Sequence, residues 1–197
     1  MLYRYIILAA ICAVIWVING RHIADGVRNR ISCEIYAHSG LGIFFTLMAL
    51  EYVLGGTEVW IQGNISWVRI LGFALYVPAA IFVFGSMIEL HRKGEAGDID
   101  ALSLHGTIAV VESGVFRVVR HPMWLGMSIW SVAMILISQS VTGMVLGIVA
   151  LSLFRMAAVK ETEFNIEKFG APYREYIERV PMLNFFRGLR RYSLRIR

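Results

Sequence analysis

Several kinds of site are missing from this sequence. Its two cysteines, Cys12 and Cys33, form no C-x-x-C pair and imply no particular chemistry. The five histidines have no metal-ligand spacing such as H-x-x-x-H, so we expect neither a zinc nor a di-iron site. The glycines near residues 94–106 lack a strand–turn–helix frame, which argues against a Rossmann nucleotide domain. We therefore predict that the functional site contains no metal.

Long apolar runs dominate what is present. The chain is 57% hydrophobic with a mean hydropathy of +0.63, too apolar for an ordinary soluble domain of 197 residues. Four long apolar stretches occur, and the last exceeds one span of about 20 residues and breaks near 138–143. These features predict an all-α integral membrane protein, a single membrane domain over 1–197 with about five transmembrane helices. The expected spans are 3–19, 36–55, 67–90, 122–138 and 141–159.

The first apolar stretch resembles a signal peptide in position. It lacks a small-x-small cleavage site, and bulky Trp16, Val17 and Ile18 stand where small residues are needed. We expect it to be retained as a helix.

The basic residues predict how the bundle is oriented. Arginines and lysines occur in the loops expected at 20–35 and 91–121 and in the tail from Lys160, whereas 56–66 and 138–143 contain none. Because basic residues favour the cytoplasmic side, this alternation predicts an outside N-terminus and a cytoplasmic C-terminal helical segment.

The end of the chain, Arg187–Arg197, is basic with interleaved apolar residues. Nucleic-acid binding is one interpretation of such a segment. In a membrane protein, anionic lipid headgroups are the favoured partner, at about 1 kcal/mol per basic residue. We expect a membrane anchor here and no nucleic-acid partner; the sequence does not indicate an oligomeric state.

The run Arg120–Gly126 begins an apolar stretch with residues that are unusual there. Pro122 disfavours helix at the preceding residue and suits the first turn of a helix. Arg120 and His121 are then expected at the helix N-terminus, where an anion such as a carboxylate binds favourably. The preceding loop, His91–Val119, is long enough to act as a lid, and Gly114 would allow the backbone to approach a ligand closely.

A second group of residues follows about forty positions later. Glu161 is expected near the same helix mouth, as a cofactor ligand or as a structural ion-pair partner of an arginine. Gly170 and Pro172 predict the end of one helix and the start of another, which carries Tyr173 and Tyr176. Tyrosines at this spacing are more typical of packing than of ligand binding, and an interfacial tryptophan such as Trp124 is common in membrane proteins.

Together these motifs carry a resemblance. The segment from about 113 to 181 resembles the isoprenylcysteine carboxyl methyltransferase family. The motifs that carry the resemblance occur in this order: R-H-P-M-[aromatic]-L-G, a glutamate nine residues before Gly170, Y-x-x-Y, and Val180-Pro181. This superfamily also includes membrane phospholipid N-methyltransferases. Two positions depart from the family pattern: Trp124 replaces the usual tyrosine, and Thr162 replaces a second glutamate, for which Glu163 could substitute.

The resemblance implies a helical membrane enzyme that binds S-adenosylmethionine near the cytoplasmic face and acts on a lipophilic small molecule or lipid. It assigns catalytic roles to Arg120 and Glu161, with motifs at 113–126 and 160–181. It also assigns cofactor binding to ten residues: Gly114, Val119, Arg120, His121, Pro122, Trp124, Leu125, Gly126, Glu161 and Tyr173. Trp124 would stack on adenine or face the sulfonium.

Two other functions are compatible with such a chain. A membrane sterol or steroid reductase would bind a nicotinamide dinucleotide in a comparable pocket, although those enzymes are usually longer. A small transporter would use intramembrane polar residues, of which Glu51, Arg155 and His38 are candidates.

Overall fold

The computed structural model describes residues 1–93 and 109–195, and this part of the chain is helical without any strand. The prediction of an all-α fold is confirmed. A short 3-10 helix, Gly114–Arg117, precedes α5. In chain order the α-helices are α1 Leu2–Arg28, α2 Ser32–Leu54, α3 Ser66–Ala74, α4 Tyr76–Lys93, α5 Pro122–Ser138, α6 Val141–Phe169, α7 Ala171–Arg179 and α8 Phe185–Arg195.

Helix length and surface composition are those of an integral membrane protein. Four segments are long and apolar enough to cross a membrane, namely α1, α2, the α3–α4 pair and α6. Helix α5, with 17 residues, is shorter but apolar. Large side chains such as Ile6, Trp67 and Ile81 are exposed on the outside of the bundle, as lipid-facing residues are. The exact number of spans stays a prediction.

The loop expected at 20–35 is shorter in the structure. Helix α1 continues to Arg28 and α2 begins at Ser32, so only three residues connect them. The polar end of α1 stays helical because it packs on α2. A Cβ on Gly26 would lie 3.1 Å from Ile35, and the ring of His22 stacks on that of His38. Tertiary contacts here outweigh the local polarity that suggested a loop.

The span expected at 67–90 is interrupted once. Helix α3 ends at Ala74 and α4 begins at Tyr76. Pro78 explains the interruption, because proline donates no backbone hydrogen bond and its ring clashes with the carbonyl four residues earlier, here that of Ala74. The two helices still form one long apolar segment.

The predicted breaks near the motifs are confirmed. Helix α5 begins at Pro122 and ends at Ser138, and Ser140 caps α6 by accepting a hydrogen bond from the Gly143 N–H at 2.9 Å. Gly170 ends α6 with φ +64, a conformation suited to glycine. At 1.5 Å per residue, the 29 residues of α6 measure about 43 Å, so its last turns exceed a hydrocarbon core of about 30 Å.

The core lies between α2, α5 and α6, with the most extensive packing between α2 and α6. A Cβ on Gly40 would come within 2.8 Å of the Phe154 ring, which shows how closely these two helices approach. Helix α7 packs beside the 3-10 helix, where Tyr176 donates a 2.7 Å hydrogen bond to the Phe116 carbonyl. Much of the predicted lid loop, 94–108, lies outside the described residues.

Candidate functional site

Backbone hydrogen bonds join the two motif halves. The Arg120 N–H donates to the Pro181 carbonyl at 3.0 Å, and the His121 N–H donates to the Met182 carbonyl at 3.2 Å. The residues just before α5 are thereby fixed against the segment between α7 and α8. Residues sixty positions apart in sequence therefore form one rigid corner beside the N-terminus of α5.

Glu161 lies at the centre of this corner. Its Oε2 accepts a 2.5 Å hydrogen bond from Trp124 Nε1 and lies 3.4 Å from His121 Nδ1. The Glu161 side chain is only 21% exposed. The structure thus brings together three residues predicted to bind the cofactor, and it places a carboxylate beside the α5 N-terminus.

Thr162 determines which ring nitrogen of His121 carries hydrogen. The Thr162 hydroxyl donates to the Ala158 carbonyl at 2.9 Å, so it accepts the 2.8 Å hydrogen bond that joins it to His121 Nε2. Nε2 is therefore the donor. Nδ1, which faces Glu161, is buried and has no hydrogen-bond partner. It is available to a ligand group.

Position 162, which departs from the family pattern, contacts His121. Thr162, where the family has a second glutamate, fixes the imidazole of His121. Glu163, the possible substitute, has a side chain that is 53% exposed and pairs with Lys160 at 2.7 Å.

Trp124 is part of the core. Its ring is buried and stacks on Phe154, with centroids 5.9 Å apart and an interplanar angle of 15°. One face of the Trp124 ring therefore packs against Phe154, and the indole N–H is hydrogen-bonded to Glu161. The contact of Trp124 with a cofactor stays a prediction; the contacts in the structure are those of a residue that orients Glu161.

Arg120 and its neighbour His121 have different hydrogen-bond partners. Its guanidinium donates to the Ile177 carbonyl at 3.1 Å, while its buried Nε has no hydrogen-bond partner. Burial lowers the pKa of Arg120, which nearby Tyr173 and Tyr176 partly offset. Since the ordinary pKa of arginine exceeds 12, the group remains charged. Arg120 and His121, predicted to hold one carboxylate together, therefore bond to different partners, the Ile177 carbonyl and the Thr162 hydroxyl.

Arg120 lines a cavity of about 660 Å³ between α6, α7 and α8, which we call the arginine cavity. Three further arginines line it, Arg155, Arg187 and Arg191, together with one acidic residue, Glu178. Sequence reasoning considered Arg155 only as a transporter residue and the other two only as part of a tail. A charged residue within a predicted span was the available signal for Arg155.

Tyr173 lies in a buried aromatic cluster with Tyr176 and Phe169, at centroid distances of 5.7 and 6.4 Å. Burial raises the pKa of Tyr173, and the side chains of Asn165 and Thr162 act on its hydroxyl in the opposite direction. Burial also raises the pKa of Tyr176. Tyr176 is a packing residue, as its spacing suggested, whereas the hydroxyl of Tyr173 lies near the side chain that holds His121.

The other predicted site residues have mainly structural contacts. Val119 and Pro122 are buried and Leu125 is partly buried. Gly126 allows α5 to approach α4, because a Cβ there would lie 2.7 Å from the Ala79 carbonyl oxygen. Gly114 has φ +52 and contacts Glu89, which also accepts a short hydrogen bond from Ser113. Glu89 was missed, although an acidic residue ending an apolar span was a possible signal.

A group of possible metal ligands occurs elsewhere. Side-chain ligand atoms of His22, Glu34 and His38 lie within 4.8 Å of one another at the contact between α1 and α2. The two imidazoles are nearly parallel, at 8°, with centroids 4.2 Å apart. A bound ion lies near the plane of each ligating ring, and parallel planes do not meet at one ion. The absence of a metal site stays a prediction.

Comparison with known proteins identifies the family. A family model described as phospholipid methyltransferase matches residues 67–172, more than half of the chain. The chain belongs to this family. The predicted resemblance to the isoprenylcysteine carboxyl methyltransferases is confirmed as well. No solved structure matches the chain.

Relatives with curated names support the assignment. Protein-S-isoprenylcysteine O-methyltransferase of Mus musculus is 27% identical over 169 residues, and that of Homo sapiens is 26% identical over the same length. Each alignment covers 76% of this chain but 57% of the relative, so the chain spans little more than half their length. Protein-S-isoprenylcysteine O-methyltransferase A of Arabidopsis thaliana is 28% identical over 156 residues, which are 74% of its length.

Proposed function

We propose that this chain is an S-adenosylmethionine-dependent methyltransferase that acts on a lipophilic acceptor at the cytoplasmic membrane face. The observation that carries the proposal is the Glu161 carboxylate, held by Trp124 and faced by His121, at the N-terminus of α5. The position of these residues within or beside the family match, residues 67–172, supports it.

The side chains at this corner fit the charged groups of S-adenosylmethionine. The cofactor's carboxylate would accept hydrogen bonds from the buried Nδ1 of His121, when that nitrogen is protonated, and from the first free amides of α5. Its ammonium or ribose would donate to Glu161. When bound, S-adenosylmethionine supplies an electrophilic methyl group on a sulfonium.

The protein's contribution to methyl transfer would be positioning and exclusion of water. Trp124 and Thr162 hold Glu161 and His121 in fixed orientations, and the packed Phe154 ring closes the apolar side of the corner. A carboxylate or thiolate acceptor needs no base. An amine acceptor must lose a proton, and Glu161 or His121 would receive it.

The names of the relatives indicate a chemical class for the methyl acceptor. The names of the relatives describe O-methylation of an isoprenylated cysteine, which is a lipophilic carboxylate. We propose an acceptor with a long apolar chain and a carboxylate, amine or thiol at its polar end. The basic segment Arg187–Arg197 would hold the C-terminal region against anionic headgroups.

Ligand titration tests the proposal. The purified full chain in nanodiscs, analysed by calorimetry, is expected to bind S-adenosylmethionine and its demethylated product. Incubation with labelled S-adenosylmethionine and a lipid extract is expected to label a lipophilic product. Binding of a nicotinamide dinucleotide, with no binding of either methyl-donor form, would favour the reductase alternative and contradict the proposal.

A transporter has less support. Its three candidate pathway residues lie in separate surroundings. Glu51 accepts a 2.8 Å hydrogen bond from Trp60, His38 is bonded to Asn19 at 3.0 Å, and Arg155 lines the arginine cavity.

A further inference from the structure

The arginine cavity has more positive charge than its surroundings neutralise. Arg120, Arg155, Arg187 and Arg191 line it, and among the described residues Glu178 is the single acidic one in its lining. Within residues 1–93 and 109–195, no carboxylate lies within salt-bridge distance of any of the four arginines. Such a concave site concentrates positive potential and attracts an anion.

Two of the arginines already have part of their hydrogen-bonding capacity used by backbone carbonyls. Arg120 donates to the Ile177 carbonyl at 3.1 Å, and Arg191 donates to the Glu178 carbonyl at 3.0 Å. These bonds fix both guanidinium groups without neutralising their charge. The buried Nε of Arg120 has no hydrogen-bond partner within 1–93 and 109–195. The guanidinium groups are therefore held in place, while part of their hydrogen-bonding capacity and their positive charge remain available to a ligand.

Helix α8 is built to hold its side of the cavity in place. Asn184 caps it by accepting a 2.9 Å hydrogen bond from the Arg187 N–H. Gly188 lies so close to the Val118 carbonyl that any side chain there would clash with it. Arg187 and Arg191, one turn apart, share the face of α8 beside the cavity. Arg190, on the same helix, does not line it.

The surroundings of the cavity indicate a lipid as the source of the anion. Arg155 lies on α6 within the predicted span 141–159 and is exposed, a costly position unless an anion pairs with it. Met182 and Leu183 add apolar surface to the lining. On the outer side of α8, Phe186 and Leu189 are exposed, as in helices that lie in a membrane interface.

We propose that this cavity binds the phosphate headgroup of an anionic phospholipid, with one acyl chain leaving along the exposed surface beside Arg155. The site differs from the Glu161 corner, because Glu161, His121 and Trp124 are not among the residues that line the cavity. It goes beyond a general attraction of the basic tail to the membrane, because it requires particular arginines. It does not depend on the methyltransferase proposal.

Native mass spectrometry of the full chain tests this site. The detergent-solubilised protein would be titrated with phosphatidylglycerol or, for comparison, zwitterionic phosphatidylcholine. The wild type is expected to retain phosphatidylglycerol preferentially. Arg155→Gln and Arg187→Gln are each expected to weaken its retention about tenfold, since each removes a charge-assisted hydrogen bond.

Arg190→Gln is the matched control, because it removes the same charge from the same helix outside the cavity. It is expected to retain phosphatidylglycerol nearly as the wild type does. Equal losses in Arg187→Gln and Arg190→Gln would mean diffuse attraction and overturn the proposal. Thermal unfolding of each variant separates loss of the site from loss of the fold.

A competition experiment separates a lipid from free phosphate. Inorganic phosphate is expected to displace phosphatidylglycerol poorly, because it makes no apolar contacts. Displacement by inorganic phosphate at concentrations equal to those of a soluble short-chain phosphatidylglycerol would overturn the lipid assignment. S-Adenosylmethionine binding, measured on the same samples, reports separately on the proposed function.

Discussion

Two glutamates on α6 show how neighbouring residues acquire different roles. Glu161 is largely buried, accepts the Trp124 N–H and faces His121. Glu163 lies two positions later, about 200° around the helix, and is exposed beside Lys160. An exposed pair of this kind contributes little to stability. The same residue type is therefore a site candidate at one position and a surface group at the other.

Glu161→Gln tests the buried glutamate with Glu163→Gln as its control. The amide keeps the volume of Glu161 but removes the charge proposed to face the cofactor's ammonium or ribose. A charge-assisted hydrogen bond is worth about 1.5–3 kcal/mol, so S-adenosylmethionine affinity is expected to fall roughly ten- to hundredfold. Glu163→Gln is expected to leave that affinity unchanged. Calorimetric titration of both variants measures the difference.

A structural role for Glu161 would give a different pattern. If the carboxylate only holds Trp124 in place, its loss would lower the melting temperature while the folded protein bound cofactor normally. That result would remove Glu161 from the site. His121→Ala, which alters the same corner from the start of α5, provides an independent comparison.

At the scale of elements, Gly126 determines how closely α5 approaches α4. A Cβ at this position would lie 2.7 Å from both the Ala79 carbonyl oxygen and Val83 Cγ2. The predicted cofactor residue is therefore also a helix-packing residue. Its effect on the site would be indirect, because α5 carries Trp124 and begins beside His121.

Gly126→Ala is expected to destabilise the protein. Overpacking costs about 1–3 kcal/mol, more than the roughly 0.5–1 kcal/mol that alanine gains over glycine within a helix. Gly20→Ala is the control, since a Cβ on Gly20 in α1 would meet nothing within 4 Å. Thermal unfolding in detergent should show a lower melting temperature for the first variant and an equal or higher one for the second. Equal melting temperatures would show that α4 and α5 separate at little cost.

At the scale of the whole molecule, the connections between helices determine which ends share a membrane side. The chain between α1 and α2 contains Arg30, and the chain between α5 and α6 contains no basic residue. The predicted site residues Arg120 and Glu161 lie near the ends of α5 and α6 that are farthest from this uncharged turn. The distribution of charge therefore predicts a cytoplasmic site.

Reporter fusions test this orientation. Fusions after Arg30 and after Arg197 are expected to report a cytoplasmic position, and a fusion after Asn64 an external one. The physical reason is the cost of translocating short arginine-rich segments. An external C-terminus would contradict the orientation and the cytoplasmic location of the proposed site.

The sequence by itself determined the helical class and the helix boundaries that depend on local chemistry. Proline at the start of α5 and glycine at the end of α6 act through their own backbone preferences, so Pro122 and Gly170 could be interpreted without a structure. The order of the motifs was sufficient to indicate the family. These features could be predicted because they depend on the backbone preferences and hydropathy of residues close together in the sequence.

Only the tertiary structure decided where the side chains point. The continuation of α1 to Arg28 depends on packing against α2, and the commitment of Trp124 to Glu161 depends on the contact between α5 and α6. Arg120 and His121 are adjacent in sequence, yet Arg120 donates to the Ile177 carbonyl and lines the arginine cavity, whereas His121 is bonded to Thr162. Such outcomes depend on residues distant in the chain, because the partner that satisfies a buried polar group is chosen by packing rather than by sequence position.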